Sequence, residues 1–425
     1  MSLPPRWVVA VSVAVAAAIL GDSFMYAVLP AIWPSLGLEV GMVGFLLSVN
    51  RLTRLGSNPL AGWVMGRCGQ RGPFMASVFV AAVTTAAYAL GRGFWLLALA
   101  RTSWGVCWSF LRLGGYLAAL EASTEDTRGY YLAFFNGVTR FGSFVAVLFG
   151  GLLTDILGFT ATAYLFAGAT AFAGVGLVRE RPPQPAAEQI TGVRDKTAGM
   201  PGAGRAPLRV PGDEPATGTA VSFQGRVGDT PGSLRLRRWT IYGIAFVDGA
   251  LISGLATATL GLWLLTLFGA TTKVFLLTLG VATLSGWLLS IRFFSDFGWG
   301  PVAGHLSDRF GRRPVILVAI AVESAAFVAL SVSRHLLAVV ASVLFLFLAA
   351  TAFRASLDAT AGDLAAPHQR ARTMSWYATF IDLGAGSGPL LAYLLLTTFG
   401  LGWLYFGAAG VLLLAGILYT WVFIL

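Results

Sequence analysis

Charge is what this sequence has least of. Of 425 residues, 11% are Asp, Glu, Lys or Arg, where an average soluble protein has roughly 25%. Forty-eight charged side chains, 29 basic and 19 acidic, cannot build a polar shell around a soluble fold of this size. Two cysteines exclude a disulfide framework, and three scattered histidines provide no metal-ligand cluster. Ser/His/Asp spacings, zinc motifs and a P-loop are all missing, so neither enzyme chemistry nor ATP-driven work is expected, and no cofactor or metal. What is abundant is apolar: 56% of residues are hydrophobic and the mean hydropathy is +0.76. That composition excludes disordered, collagen-like and coiled-coil classes.

One stretch breaks the apolar pattern. Residues 179–237 hold 8 of the 18 prolines, nine glycines and fifteen charges. This composition predicts a solvated, disordered linker. The remaining 366 residues accommodate twelve membrane spans at about 20–25 residues each. Helices are predicted at 8–30, 40–65, 74–91, 94–120, 129–155 and 160–178, then at 239–266, 275–304, 314–332, 336–363, 372–397 and 401–425. The organisation expected is a six-helix bundle over 1–178, the linker over 179–237 and a second bundle over 238–425. The first run is too long for a cleavable signal and lacks a small-residue cleavage site.

The basic residues mark the sides. Even-numbered connections carry 18 Lys and Arg, while odd-numbered ones carry only Arg92, Lys273 and Arg334. The positive-inside rule then places both termini in the cytoplasm of a multi-pass protein of the cell inner (plasma) membrane. The net charge of +10 is thus a topology signal and not a nucleic-acid footprint.

Shifting the sequence by 242 residues lays helix 2 on helix 8. Seven of the 18 positions from 56 to 73 match, including Gly56/Gly298, Pro59/Pro301, Gly62/Gly304, Arg67/Arg309, Gly69/Gly311 and Arg71/Arg313. The same shift pairs Arg112 with Arg354, Glu121 with Asp363, Gly142 with Gly384 and Gly158 with Gly400. The chain is a duplicated six-helix unit in parallel orientation.

The segment GHLSDRFGRRP (304–314) resembles the signature loop of the major facilitator superfamily, Gly-x-Leu-x-Asp-Arg-x-Gly-Arg-Arg. Its first-half copy, GWVMGRCGQRGP (62–73), has Gly66 where the acid should stand. RTSWG (101–105) fits the family's Arg-x-x-x-Gly on helix 4, and FGSFVAVLFGG (141–151) is similar to its Gly-rich antiporter segment, with Ala146-Val147 in place of Gly-Pro. Gly388-Pro389 stands at the repeat-related site on helix 11. The resemblance implies an all-α integral membrane fold of two six-helix bundles related by a pseudo-two-fold axis, with helices 1, 4, 7 and 10 lining a central cavity.

Ionisable residues inside spans are costly, at roughly 2.5–3.5 kcal/mol each on insertion scales. Asp22, Asp248 and Arg101 fall on the helices that the resemblance places at the cavity, and are the proton-coupling or substrate candidates. Tyr26, Arg51, Trp104, Trp108, Trp376 and Tyr377 are expected to line the cavity, although interface anchoring also explains many of the 13 tryptophans. Glu323 lies on the peripheral helix 9 and is expected to be structural. Gly62, Arg67, Arg71, Arg112, Glu121, Gly304, Asp308, Arg309, Arg313, Arg354 and Asp363 are read as a cytoplasmic latch of the outward-facing state. There Arg309, Arg312 and Arg313 reach Asp363, while Arg67 and Arg71 reach Glu121. The repeat also lays Arg54 on Asp296 and Arg140 on Asp382. Since the resemblance packs helix 2 beside helix 11 and helix 5 beside helix 8, two inter-half pairs are predicted, Arg54 with Asp382 and Arg140 with Asp296. The alternative has Asp296 pairing with Arg292 on its own helix.

Three functions compete on this reading. The first is proton-coupled export of a small organic compound by alternating access, with sodium as the other possible ion. The second is proton-coupled import of an organic anion, suggested by the intramembrane arginines. The third is a membrane sensor that does not transport, disfavoured because the sequence stops at Leu425 within helix 12. A monomer in the lipid bilayer, with no nucleic-acid partner, is expected.

Overall fold

A computed structural model of the protein describes residues 3–90, 93–124, 127–180, 231–274, 277–365 and 370–423. The architecture is nearly all helical, with twelve spans. The first half comprises α1 (Arg6–Leu36), α2 (Val40–Cys68), α3 (Arg71–Leu90), α4 (Phe94–Glu121), α5 (Arg128–Leu157) and α6 (Phe159–Arg179). In the second half, α7 runs Pro231–Asp248, a π-helical stretch Gly249–Ala256, then Thr257–Phe268. Helix α8 runs Val281–Phe294, a π turn Ser295–Trp299, then Gly300–Phe310. Helices α9 (Arg312–Val332) and α10 (Leu336–Asp363) follow. The last helical run, Arg370–Phe423, is broken at Gly400 and supplies α11 and α12. At 1.5 Å per residue, even the shortest, α3 with 20 residues, matches a hydrocarbon core of about 30 Å.

The repeat is visible in the backbone. Gly69 and Gly311 take φ of 76° and 89°, and Gly158 and Gly400 take 86° and 73°. Both pairs are 242 residues apart, and each glycine turns the chain between consecutive helices in the left-handed region that L side chains avoid. Gly142 and Gly384, another pair, let α5 cross α1 and α11 cross α7 backbone to backbone. A methyl at Gly142 would strike the Ala16 carbonyl, and one at Gly384 the Phe246 carbonyl. This is close packing through small residues, as expected in a membrane.

The same device joins the halves. A methyl at Gly151 on α5 would strike the Ala282 carbonyl on α8, and one at Gly286 the Val147 carbonyl. Helix α2 meets α11, where the Leu390 amide donates to the Ser48 hydroxyl at 2.9 Å.

Three predicted boundaries change. Helix α6 continues through Arg179 and α7 starts at Pro231, so both ends of the expected linker are helical. Pro231 opens a helix readily and the Leu–Arg run behind it has good helix propensity. Residues 181–230 of the linker lie outside the described residues. The predicted start of helix 8 at 275 is instead part of an antiparallel hairpin, β1 (Thr271–Val274) with β2 (Leu277–Gly280). Its β-branched Thr271, Thr272 and Val274 favour strand.

Candidate functional site

In the first half the charges converge on Asp22. This residue lies on α1 just past the break at Ile19, and is 6% exposed. Arg101 on α4, fully buried, meets its carboxylate at 2.5 Å and donates from Nε to the Leu46 carbonyl at 3.0 Å. The Asn50 amide on α2 also donates to Asp22. Arg54, one turn further along α2, donates to Asn50 Oδ1 at 2.9 and 3.2 Å and lies 3.8 Å from Asp22. Its guanidinium covers the stacked rings of Trp104 and Trp108, 5.7 and 5.3 Å from their centroids. Arg51 donates to the Tyr26 hydroxyl at 3.1 Å, which in turn donates to the Leu47 carbonyl at 3.2 Å. One carboxylate thus gathers two arginines and an amide, with the hydrogen bonds from Arg101 and Asn50 both falling on Oδ1.

The second half is built differently. Asp248 ends the first segment of α7, where the helix widens into its π stretch, and is 2% exposed. Arg354 on α10 pairs with its Oδ2 and donates to Ser253 at 3.3 Å. Asp248 Oδ1 is buried and has no hydrogen-bond partner among the described residues. Arg292 on α8 donates to Thr257 and Ser253 at 2.7 and 2.8 Å. Asp358 accepts from the Tyr377 hydroxyl at 2.6 Å. Wide π turns occur often at functional sites, and both here carry or adjoin an acid, Asp248 or Asp296.

Among the described residues, two ion pairs cross between the halves. Arg140 on α5 pairs with Asp296 on α8. Asp382 on α11 lies 3.8 Å from Arg112 on α4, and not beside Arg54 as expected. Arg54 has nearer partners in Asn50 and Asp22, and Arg112 takes its place. Arg292 does not pair with Asp296 on its own helix, being held by Ser253 and Thr257.

The expected latch makes contacts mainly within each half. Arg71 donates to the Val178 and Glu180 carbonyls at 3.2 and 3.0 Å. Arg67 lies over the Trp63 ring, and Glu121 accepts from Gln70 and not from these arginines. Asp363 takes Arg312, while Arg309 lies over Phe310 and Asp308 is exposed. Arg313 is half-buried, with no ion pair to Asp363. Arg354 turns instead to Asp248 in mid-membrane. Gly62 and Gly304 adjoin no close neighbour, so in this structure neither marks a helix approach. Trp376 lines a recess of about 330 Å³ with Arg235, Arg238, Trp239, Tyr242, Arg372 and Thr373. Asn50, Ser253 and Thr257 were missed because neutral polar side chains raise no flag in an apolar helix; the one signal was Asn50 a single turn before Arg54.

On the face bearing the hairpin, the halves are closed. Gly261 of α7 packs on α1, with a methyl there 3.3 Å from the Ala27 carbonyl. Asp155, at the end of α5, accepts from the Thr283 amide at 2.8 Å and its hydroxyl at 2.5 Å in the first turn of α8. Helix α8 has no cap of its own there, because its N-cap is Gly280. A carboxylate of the other half completes it.

The family model described as Major Facilitator Superfamily matches residues 11–285 and 275–425. Solved structures with a similar fold include a bacterial homolog of the human lysosomal transporter Spinster, 14% identical at a TM-score of 0.72, covering 98% of this chain and 96% of that one. The nucleoside transporter NupG is 12% identical at 0.72, covering 99% of each chain. A peptide transporter POT bound to sulfate is 16% identical at 0.72, covering 98% and 94%. At these identities the likeness is one of fold. Among curated proteins, the vesicular acetylcholine transporter unc-17 of Caenorhabditis elegans is 28% identical over 121 residues, 27% of this chain and 22% of that protein, so the match spans about a fifth of its length. With two six-helix units, inter-half pairs and a family match over both, the chain belongs to the major facilitator superfamily, whose members are membrane transporters and not enzymes.

Proposed function

We propose that the protein exports a small organic compound in exchange for protons, by alternating access in the inner membrane with both termini cytoplasmic. The observation that carries this reading is the contrast between the two buried acids. Asp22 has two arginines and an amide around it, whereas Asp248 has, among the described residues, a single charged partner and a buried oxygen with no hydrogen bond. An acid held by one guanidinium can exchange that partner for a proton; an acid held by three groups is a fixture. Asp248 is therefore the coupling site and Asp22 the scaffold, with proton in preference to sodium.

Closure on the hairpin face, with Arg112 and Arg140 exposed at the other (39% and 49%), supports an inward-facing state. The residues first read as a latch would engage only after the halves rock the other way. The name of the matched acetylcholine transporter fits a substrate bearing a cationic group, which the acid-rich second half would face.

A second reading, import of an organic anion, rests on Arg51, which among the described residues hydrogen-bonds the neutral Tyr26 hydroxyl and no acid. Counterflow in proteoliposomes with labelled organic anions and cationic dyes, under an imposed pH gradient, separates the two. Export predicts substrate movement opposite to the protons and abolished by a protonophore. Movement with the protons, for anions alone, overturns it in favour of import.

A further inference from the structure

The recess of about 330 Å³ between α7 and α11 gathers basic and aromatic side chains from two helices. Its volume falls in the range of small-molecule sites, roughly 300–1,000 Å³. Helix α7 supplies Arg235, Arg238, Trp239 and Tyr242, whose spacing of three and four residues puts them on one face. Helix α11 supplies Arg372, Thr373 and Trp376 from a single turn. Among the described residues, no aspartate or glutamate lines it. The base is fixed by packing. Tyr242 is buried, donates from its hydroxyl to the Thr373 carbonyl at 3.3 Å and stacks on Phe380 with 5.5 Å between centroids. Trp239 meets both rings edge-on, and Trp376 is tilted against Phe380. Nearer the helix starts, Arg235 and Arg372 are exposed, and both tryptophans are half-exposed.

Basic residues that only set topology have no need to converge. Arg237, in the same turn of α7, lies instead over the Phe423 ring on α12, whereas Arg235 and Arg238 share the recess with an arginine of another helix. The first half carries no counterpart, since the 242-residue shift lays Arg372, Thr373 and Trp376 on Tyr130, Tyr131 and Phe134. Three guanidinium groups in a recess walled by aromatic rings form an anion site. Donors arriving from two helices suit a tetrahedral phosphate, which presents oxygens in several directions, better than a planar carboxylate. Basic pockets between membrane helices on the cytoplasmic side hold phosphate headgroups in this way, and tryptophan favours the interface.

We propose that this recess binds the phosphate group of an anionic ligand, with Arg235, Arg238 and Arg372 on its oxygens and Trp239 and Trp376 against the moiety that carries it. A lipid headgroup and a soluble phosphate share that chemistry. The placement of the recess on the cytoplasmic face rests on the orientation proposed above. Binding in detergent, where both ends of the molecule are accessible, does not.

Thermal unfolding of the full-length protein, stripped of lipid in detergent, is followed as phosphatidic acid, inorganic phosphate, phosphatidylcholine or oleate is added. Phosphatidic acid or inorganic phosphate should raise the midpoint saturably. Phosphatidylcholine, whose charge is balanced, and oleate, which has no phosphate, should not. A response to phosphatidic acid alone identifies a lipid headgroup as the ligand; a response to inorganic phosphate identifies a soluble one. Arg235→Gln/Arg372→Gln should raise the half-saturating concentration about tenfold or more, the scale of a lost hydrogen bond to a charged group. Arg128→Gln/Arg179→Gln removes the same charge at other helix ends, outside the recess, and should leave that concentration unchanged. Trp376→Ala, at a half-exposed position, should weaken binding by a smaller factor and keeps the test decisive if the recess double variant folds poorly. No saturable response to either phosphate ligand, an equal response to oleate, equal weakening in the two double variants, or full affinity in both recess variants overturns the proposal. These readings involve no transport, so their failure leaves the export reading standing.

Discussion

The two halves share a fold and a repeat but divide the charges between them. Within the first-half spans, Asp22 sits among Arg51, Arg54, Arg101, Arg112 and Arg140. Within the second, Asp248, Asp296, Glu323, Asp358 and Asp382 sit with Arg292 and Arg354. The excess of each half is met partly across the interface, by Arg140–Asp296 and Arg112–Asp382. Within each half the local result is opposite. The first half surrounds Asp22 with two arginines and an amide; among the described residues, the second leaves Asp248 with one charged partner and Glu323 with none. On the proposed reading, the duplicated unit has a braced half and a responsive half.

The comparison breaks most visibly at Asp22. Arg101→Ala removes the nearest cation from the buried Asp22, and breaking such a pair costs about 3–5 kcal/mol. Arg354→Ala should cost less, because the Arg354 side chain is 22% exposed where Arg101 is 0%. Thermal unfolding in detergent checks the order: the Arg101 variant should melt well below the Arg354 variant.

Next comes the bond between halves. Arg140→Asp alone should abolish transport by placing like charges together against Asp296, and Arg140→Asp/Asp296→Arg should restore part of it. Flux in proteoliposomes, normalised to folded protein, measures this; no rescue means the charges act on substrate. A smaller effect is expected on the hairpin face. Asp155→Ala removes the cap that the first half supplies to α8, a loss of about 1 kcal/mol, and should favour opening on that face. Gly280→Ala should do the same, because its methyl would occupy the position of the Asp155 carboxyl. Alkylation of a cysteine placed at Thr278, faster in both variants than in its parent, checks this. The smallest effect should come from shortening the segment between the halves to about 25 flexible residues, with Arg235, Arg237 and Arg238 kept; flux should stay near wild type.

Much of this was legible in the residues. A constant offset paired Gly69 with Gly311 and Gly158 with Gly400, all four of which turn the chain, and led to Arg140 beside Asp296. It failed for Arg54 because repeat symmetry places a backbone, while a long guanidinium chooses among whatever acceptors it reaches. Asn50, one turn away on the same helix, lies nearer than the other half. The π stretches at Asp248 and Asp296 leave no periodic signature, since each shifts the helical phase only locally. The hairpin was masked by apolar residues that suit strand and span alike.

The central claim is that Asp248 responds and Asp22 braces. The most direct test compares Asp22→Asn and Asp248→Asn in proteoliposomes, measuring substrate counterflow and pH-gradient-driven transport on the same preparations. Asp248→Asn should retain counterflow and lose the gradient-driven component, while Asp22→Asn should lower both together with thermal stability. Gradient-driven transport intact in Asp248→Asn, with its selective loss in Asp22→Asn, would contradict the account.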